Sequence, residues 1–312
     1  MPDHPAHYRL GTARIGNDAV AVIETKTGIH RLATALAPLL ATLPDRTTDA
    51  RAVPASLLDL LDRWDAWQAI LRRAADGPAP AGSPLDAASL TWLPPILFPR
   101  KLICIGTNYR DHMREMGITT DPEWPYAFLK PATNTMVGSG SAVRIPANTR
   151  MVDWEVELAV VIGRHARDIA AAEAPAHIAG YSVFNDLSAR DWLARRPPVG
   201  IDWVLHKAFD GFAPMGPWIT PAECAGDPRN LDLALTVNGI TRQASNTARM
   251  VFDVYETVAH LSRVMTLEPG DVIATGTPAG VGFGQNPQIF LKPGDRIVAS
   301  IQGLGTLETL MV

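Results

Sequence analysis

The stretch Asp153-Trp-Glu155-Val-Glu157-Leu-Ala-Val-Val-Ile162 constrains the fold more than any other part of the chain. Its first half alternates, so Asp153, Glu155 and Glu157 are expected on one face of a strand. Its second half is unbroken apolar sequence, so the strand is expected to run into a core. Residues two apart on a strand lie roughly 6.5–7 Å apart at Cα, close enough for two flexible carboxylates to converge on one cation. Without a cation they repel, and burial sharpens the repulsion. For a lone pair, a solvated acidic edge is the alternative; the adjoining apolar run favours a site. A third carboxylate, Asp186, ends the strand-like Tyr181-Ser-Val-Phe-Asn185 and precedes a helical pattern. It fits either a ligand position or a helix N-cap. An all-oxygen set of Glu155, Glu157 and Asp186 favours Mg²⁺, Mn²⁺ or Ca²⁺ over Zn²⁺ or Cu²⁺, and leaves positions for water and a chelating substrate.

Two further stretches carry chemistry. Asn108-Tyr-Arg-Asp-His112-Met-Arg-Glu115 sets His112 and Glu115 at i, i+3, neighbours on a helix. A carboxylate beside an imidazole fixes its tautomer and raises its basicity, which suits a general base. A surface His–Glu pair of little worth is the alternative. The run Asp271-Val-Ile-Ala-Thr-Gly276-Thr277-Pro-Ala-Gly280-Val-Gly282-Phe-Gly284 lacks GxxxxGK[ST], and no GxGxxG opens a helix, so it does not read as a nucleotide loop. Its amides and the Thr277 hydroxyl would hold a carboxylate, or its glycines serve a tight turn.

The chain around these motifs is expected to be α+β. Tyr8 to Glu24 alternates around Gly11, Gly16 and Asn17 and reads as a hairpin. Residues 31–43 read as a short helix. From Ser56, Leu57, Leu60, Leu61, Trp64, Trp67 and Leu71 line one helical face, with Ser56 and Asp59 as a capping box. The Pro/Gly-rich 77–84 stretch marks a linker, dividing a small N-terminal domain, 1–95, from a catalytic domain, 96–312. Strands are expected at 101–106, 155–163, 180–186, 231–238, 271–275 and 296–301, and short helices at 109–116, 187–195 and 252–265. That pattern suits a β-rich α+β domain better than regular βαβ alternation.

Composition excludes some function classes. The net charge of −4 over 312 residues gives no basic excess for nucleic acid or a membrane surface. Cys104 and Cys224 make neither a disulfide framework nor a CxxC pair. MPDHPAHYRLG has no apolar signal region, and the longest apolar run, Leu158 to Ile162, is too short to span a bilayer. A cytoplasmic address is therefore expected.

Taken in order, these stretches resemble the fumarylacetoacetate hydrolase family over roughly residues 100–310. The series runs from Ile103-Cys-Ile-Gly-Thr-Asn-Tyr-Arg-Asp-His112 and Glu115 through Phe128-Leu-Lys130, Asp153-Trp-Glu-Val-Glu-Leu and Asn185-Asp-Leu-Ser-Ala-Arg190-Asp. It continues through Lys207-Ala-Phe-Asp, Pro214-Met-Gly-Pro-Trp218 and Val237-Asn-Gly239 to Pro269-Gly-Asp and Thr275-Gly-Thr-Pro-Ala-Gly280. Residues 1–95 are similar to the small N-terminal domain of many bacterial members. The resemblance implies a β-roll catalytic domain, a homodimer, and Mg²⁺ or Mn²⁺ on Glu155, Glu157 and Asp186. It implies that His112 and Glu115 activate water from a lid segment, that Lys207 faces the reacting oxygens, and that Thr277 and the Gly276 turn bind a substrate carboxylate. Arg190, Lys130 and Tyr109 are implied as contacts or supports. One departure is Leu193, where members close to fumarylacetoacetate hydrolase itself carry Gln. Together with the Arg195–Trp203 stretch expected at the site mouth, it argues for a different substrate.

The reaction expected first is hydrolytic C–C cleavage of a 2,4-dioxo acid, an acylpyruvate or similar β-diketone, to a 2-oxo acid and a carboxylic acid. The alternative is a metal-dependent decarboxylase, isomerase or dehydratase of a 2-oxo acid, which uses the same enolate chemistry. A non-catalytic ligand-binding module is the remote reading, opposed by the complete set of Glu155, Glu157, Asp186, His112 and Glu115.

Overall fold

The computed structural model describes residues 7–42, 53–195, 198 and 200–312. The first six residues of the segment read for a signal, Leu43 at the end of the expected first helix, and Arg196, Pro197 and Val199 of the expected mouth stretch lie outside the described residues.

The architecture is α+β: two large β-sheets and two two-stranded ones among the described residues, with short helices and a smaller N-terminal α+β part. Among the described residues a ten-stranded mixed sheet runs in the order Gly28–Arg31, Asp18–Thr25, Arg9–Ile15, Trp218–Pro221, Ile178–Asn185, Val156–Ile162, Val272–Ala274, Leu102–Gly106, Tyr126–Leu129. Thr91–Leu93 also pairs with Arg9–Ile15. The second sheet runs Ile240–Asn246, Asp232–Val237, Arg296–Ile301, Gly305–Met311, Ser141–Val143. The expected hairpin forms, turning at Gly16, whose φ of +66° a side chain would strain. The N-terminal strands continue the large sheet, because Leu10 and Gly11 pair with Ile219 and Trp218.

The carboxylate strand Val156–Ile162 lies between Ile178–Asn185 and Val272–Ala274, with every residue buried. Its side chains alternate between two cores. Val156, Leu158, Val160 and Ile162 pack in the same cluster as Leu233, Leu235, Ile297, Ala299 and Leu307 of the second sheet. Ala159 and Val161 belong to the cluster of Leu57, Leu61, Trp64 and Trp67 from the N-terminal helices. Two dry faces explain the unbroken apolar run: alternation is needed only where one face meets water. Each such side chain contributes about 1.5–3 kcal/mol on burial.

The amphipathic stretch from Ser56 forms two helices. Leu57–Leu61 starts at the expected capping box, with the Ser56 hydroxyl accepting from the Asp59 amide and Asp59 accepting from the Ser56 amide. Arg63, at φ −130° and ψ 38°, leaves helical geometry, and Trp64–Asp76 begins afresh. The break leaves Leu57, Leu60, Leu61, Trp64, Trp67 and Leu71 all buried. Val254–Val264, capped by Asp253 and Glu256, buries Val254, Val258 and Leu261. No helix among the described residues is long and apolar enough to cross a membrane.

Candidate metal centre and active-site cavity

The floor of the site is made where the carboxylate strand is interrupted. Val152–Asp153 pairs with Ser188–Ala189, the chain breaks at Trp154 and Glu155, and the long strand starts at Val156. Two side chains and one backbone bond hold the break. The Glu155 amide donates to Asn185 Oδ1 (2.9 Å), the Val156 amide to Gln243 Oε1 (2.9 Å), and the Asp186 amide to the Glu155 carbonyl (2.9 Å). The result brings one carboxylate oxygen each of Glu155, Glu157 and Asp186 within 4.8 Å of one another, all buried. Asp153, expected on the same face, is turned away by the break. It accepts from the amides of Gly282 (2.6 Å) and Phe283 (3.0 Å) and from Arg190 Nε (2.9 Å).

Three buried cations surround this floor. Lys207 Nζ bridges Glu155 Oε2 (2.8 Å) and Asp186 Oδ2 (2.7 Å). Lys130 donates to Asp186 and to the carbonyls of Leu187 and Phe212. Arg190 joins Asp153 to Glu155. The charges sort the carboxylates. Burial pushes the Asp186 carboxyl up, but Lys130 and Lys207 together outweigh it and bring it down to about 2. Among the described residues Glu157 is hydrogen-bonded to the Gly276 amide at 2.8 Å and paired with no cation. Burial, then repulsion from Asp186 and Glu155, pushes its carboxyl well above the ordinary carboxylate range. Burial works against the charge on Lys207, yet attraction to Asp186 and Glu155 raises its pKa. A buried cluster of three carboxylates, one of them starved of positive charge, fits a hard divalent cation with oxygen ligands.

The remaining expected residues fall at defined distances from this floor. The helix Arg110–Glu115 is docked against the glycine-rich turn. Glu115 Oε1 accepts from the Gly280 amide (2.9 Å), Asp111 accepts from Ser245 Oγ (3.0 Å), and Asn108 donates to the Thr275 carbonyl (2.8 Å). His112 Nδ1 meets Glu115 Oε2 at 2.9 Å, and His112 is only 7% exposed, so the pair is no solvated surface contact. Gly284 makes room for it: a Cβ there would stand 2.2 Å from the Glu115 carboxyl carbon. Thr277 donates its hydroxyl to the Val156 carbonyl (2.9 Å) and accepts from Gln243 (2.8 Å). Glu155, Glu157, Asp186, His112, Arg190, Lys207 and Thr277 all line one cavity of about 170 Å³. Glu115, Lys130 and Gly276 stand behind that lining, each in contact with one of its members. Tyr109 is fully buried away from the cavity, with no hydrogen-bond partner for its hydroxyl among the described residues.

Sequence reasoning did not find Gln243, Asn185, Gly284 or His206. Gln243 lies in the strand Ile240–Asn246, whose polar sequence gives no sign that one side chain is fully buried. Asn185 was legible only as the neighbour of Asp186. His206 lines the cavity, and neither of its ring nitrogens has a hydrogen-bond partner among the described residues. Burial, then the charges of Lys207 and Arg190, push its imidazole down to about 2, so it is neutral at working pH.

Comparison with known proteins agrees with this geometry. The fumarylacetoacetate (FAA) hydrolase C-terminal family matches residues 101–312. The human mitochondrial oxaloacetate tautomerase FAHD2B is 42% identical over 260 residues, 83% of this chain and 81% of its own. Among solved structures, fumarylacetoacetate hydrolase from Exiguobacterium antarcticum is 31% identical with a TM-score of 0.75, covering 97% of this chain and 99% of its own. Maleylpyruvate hydrolase from Sphingobium sp. SYK-6, in complex with manganese (II) and pyruvate, is 30% identical with a TM-score of 0.74, covering 97% and 98%. The cytoplasmic address expected from the sequence is corrected here, because the human and bovine oxaloacetate tautomerases that match are mitochondrial. That expectation rested on the lack of a secretory segment and a membrane span, which does not separate one internal compartment from another. The match across the whole catalytic region, joined to a carboxylate triad suited to a divalent cation and to catalysis on an oxo acid, places the chain in the fumarylacetoacetate hydrolase family.

Proposed function

We propose that the chain is a divalent-metal-dependent isomerase of a small 2-oxo acid, interconverting its keto and enol forms. This is the alternative weighed in the sequence, and it displaces the hydrolytic C–C cleavage expected first. It is favoured by the 42% identity to an oxaloacetate tautomerase over most of both chains. The observation that carries it is His112, backed by Glu115, facing the same cavity as the buried carboxylate triad.

A divalent cation such as Mg²⁺ or Mn²⁺ held by Glu155, Glu157 and Asp186 would polarise the 2-oxo carbonyl and so acidify the C3–H bond. Glu115 engages His112 Nδ1, which leaves Nε2 to take the proton from C3 while water protonates the oxygen to give the enol; in the reverse direction water takes the O–H proton and His112 Nε2 delivers one to C3. The Lys207 ammonium, fixed by Glu155 and Asp186, stabilises negative charge growing on the substrate oxygen. Thr277 and the Gly276 amide position Glu157 and the strand end rather than moving a proton, since both are already hydrogen-bonded to protein. A homodimer is part of the same proposal, and light scattering of the purified protein tests it.

Hydrolysis is the second reading, supported by the manganese and pyruvate complex of the 30% identical maleylpyruvate hydrolase. There His112 would take its proton from water. One experiment separates the two. Chelator-stripped protein, with and without Mn²⁺, is given the enol form of a 2-oxo acid, and loss of enol absorbance is followed; parallel samples receive an acylpyruvate and are assayed for pyruvate. Mn²⁺-dependent enol loss without pyruvate release supports the isomerase. Pyruvate release as the faster reaction replaces it with the hydrolase. Equal rates with and without metal would remove the metal from the proposal.

A further inference from the structure

The floor of the cavity is polar, but its outer wall is not. That wall is made by Ile118, Tyr126, Phe128, Leu193, Ile201 and Trp203. It is built to hold its shape. The Trp203 indole stacks on Phe128 with ring centroids 4.3 Å apart and planes 10° from parallel, and its Nε1 donates to Tyr126 Oη at 3.1 Å. Tyr126 is 45% exposed and Ile118 40%, so these two face the opening, while Phe128 and Trp203 anchor the wall to the core. Tyr126 and Trp203 line the cavity, whereas Trp192 packs against the core and does not.

The second observation concerns charge. Among the described residues that line the cavity, Arg190 and Lys207 are the cations, and both are bound to carboxylates of the floor. Arg195 lies over the Trp192 ring at 4.9 Å and is not part of the lining. Of the two histidines in the lining, His112 is held by Glu115 at the catalytic end, and burial keeps His206 neutral. A substrate with a second carboxylate would bring that charge against aromatic and aliphatic side chains that carry no countercharge among the described residues. A carboxylate desolvated without a partner is strongly disfavoured, whereas an aryl or alkyl group in the same place gains by burial.

We infer that the distal part of the substrate is uncharged and apolar, so that the chain prefers an aryl- or alkyl-substituted 2-oxo acid to a dicarboxylic one such as oxaloacetate. The inference rests on the 2-oxo acid reading of this cavity and adds the identity of the tail. Trp203 is the specificity-determining residue, supported by Phe128 and Tyr126.

Binding and turnover are measured separately, with phenylpyruvate and oxaloacetate as probes. Titration of Mn²⁺-loaded protein should give at least tenfold tighter binding of phenylpyruvate, and kcat/KM for enol–keto exchange should favour it by a similar factor. Trp203→Ala should lower the phenylpyruvate-to-oxaloacetate ratio about tenfold or more, chiefly through KM. Leu193→Arg, which places a cation on the wall, should move the preference towards oxaloacetate; this variant keeps the test open if Trp203→Ala folds poorly. Oxaloacetate binding as tightly as phenylpyruvate would overturn the inference, whichever acid is turned over. Selective binding of phenylpyruvate with no turnover of either acid would instead uphold the tail and overturn the isomerase reading.

Discussion

Replacing Lys207 by Met tests the electrostatics of the floor most directly. The Lys207 ammonium is buried and touches both Glu155 (2.8 Å) and Asp186 (2.7 Å). Met keeps most of its volume and removes its charge, leaving two buried carboxylates with one fewer countercharge. Breaking a buried ion pair in this way costs ~3–5 kcal/mol. An unfolding entropy of ~2.1 cal/mol/K per residue, over the 312 residues of the chain, gives ~0.65 kcal/mol per degree, so the melting temperature should fall by ~5–8 °C in chelator. A divalent cation then supplies the missing charge. At a hundredfold excess over its dissociation constant it stabilises by ~2.7 kcal/mol, or ~4 °C on the same scale. Because the variant has the greater unmet negative charge, its rise on adding Mn²⁺ should exceed that of the parent. Calorimetry of both proteins, in EDTA and then in Mn²⁺, gives all four temperatures. A variant that melts within a degree of the parent in EDTA, or an identical Mn²⁺ increment in the two, would refute the reasoning: the triad would then not be a charged cluster waiting for a cation.

Three further outcomes are expected. His112→Ala should lower kcat by ~10²–10⁴-fold, measured by enol decay, while keeping the Mn²⁺-induced rise in melting temperature, since His112 is hydrogen-bonded to Glu115 and is not one of the three carboxylates proposed to hold the metal. Gly284→Ala puts a Cβ where the flexible end of Glu115 lies, so the fold should hold to within ~1 kcal/mol while the His112–Glu115 pair is broken; circular dichroism unchanged with activity down at least tenfold is the expected pair of results. Leu158→Ala empties a fully buried position beside the second sheet and should cost ~2–5 kcal/mol by denaturant titration, with a full complement of bound Mn²⁺ in the folded fraction.

The sequence announced the parts of this molecule whose pattern is local. The carboxylates, the capping box at Ser56 and Asp59, the Gly16 turn and the i, i+3 pair His112 and Glu115 all follow from spacing along the chain. What it concealed depends on partners far away. Strand Ile240–Asn246 is polar and half exposed, and becomes a strand because Asp232–Val237 pairs with it. Gln243 matters because it meets Val156, 87 residues distant. Asp153 looked equivalent to Glu155 and Glu157 by alternation, but the break at Trp154 sends it to Gly282 and Phe283. Periodicity describes an uninterrupted strand and is silent about where the strand stops. The helix from Ser56 shows the same limit, since the break at Arg63 changes no residue's side of the core and so leaves no mark on the apolar pattern.

The strand Val156–Ile162 is anchored in two cores, whereas the helix Arg110–Glu115 is only six residues long and is tied down by side-chain hydrogen bonds to the glycine-rich turn and Ser245. The amides of the strand can exchange with solvent only when the whole molecule opens, while those of the helix need only a local, far less costly event. The helix beside the cavity and the strand beneath it are therefore expected to open at different free energies. On the proposed function, substrate could come and go past the helix many times while the carboxylates of Glu155, Glu157 and Asp186 keep their places.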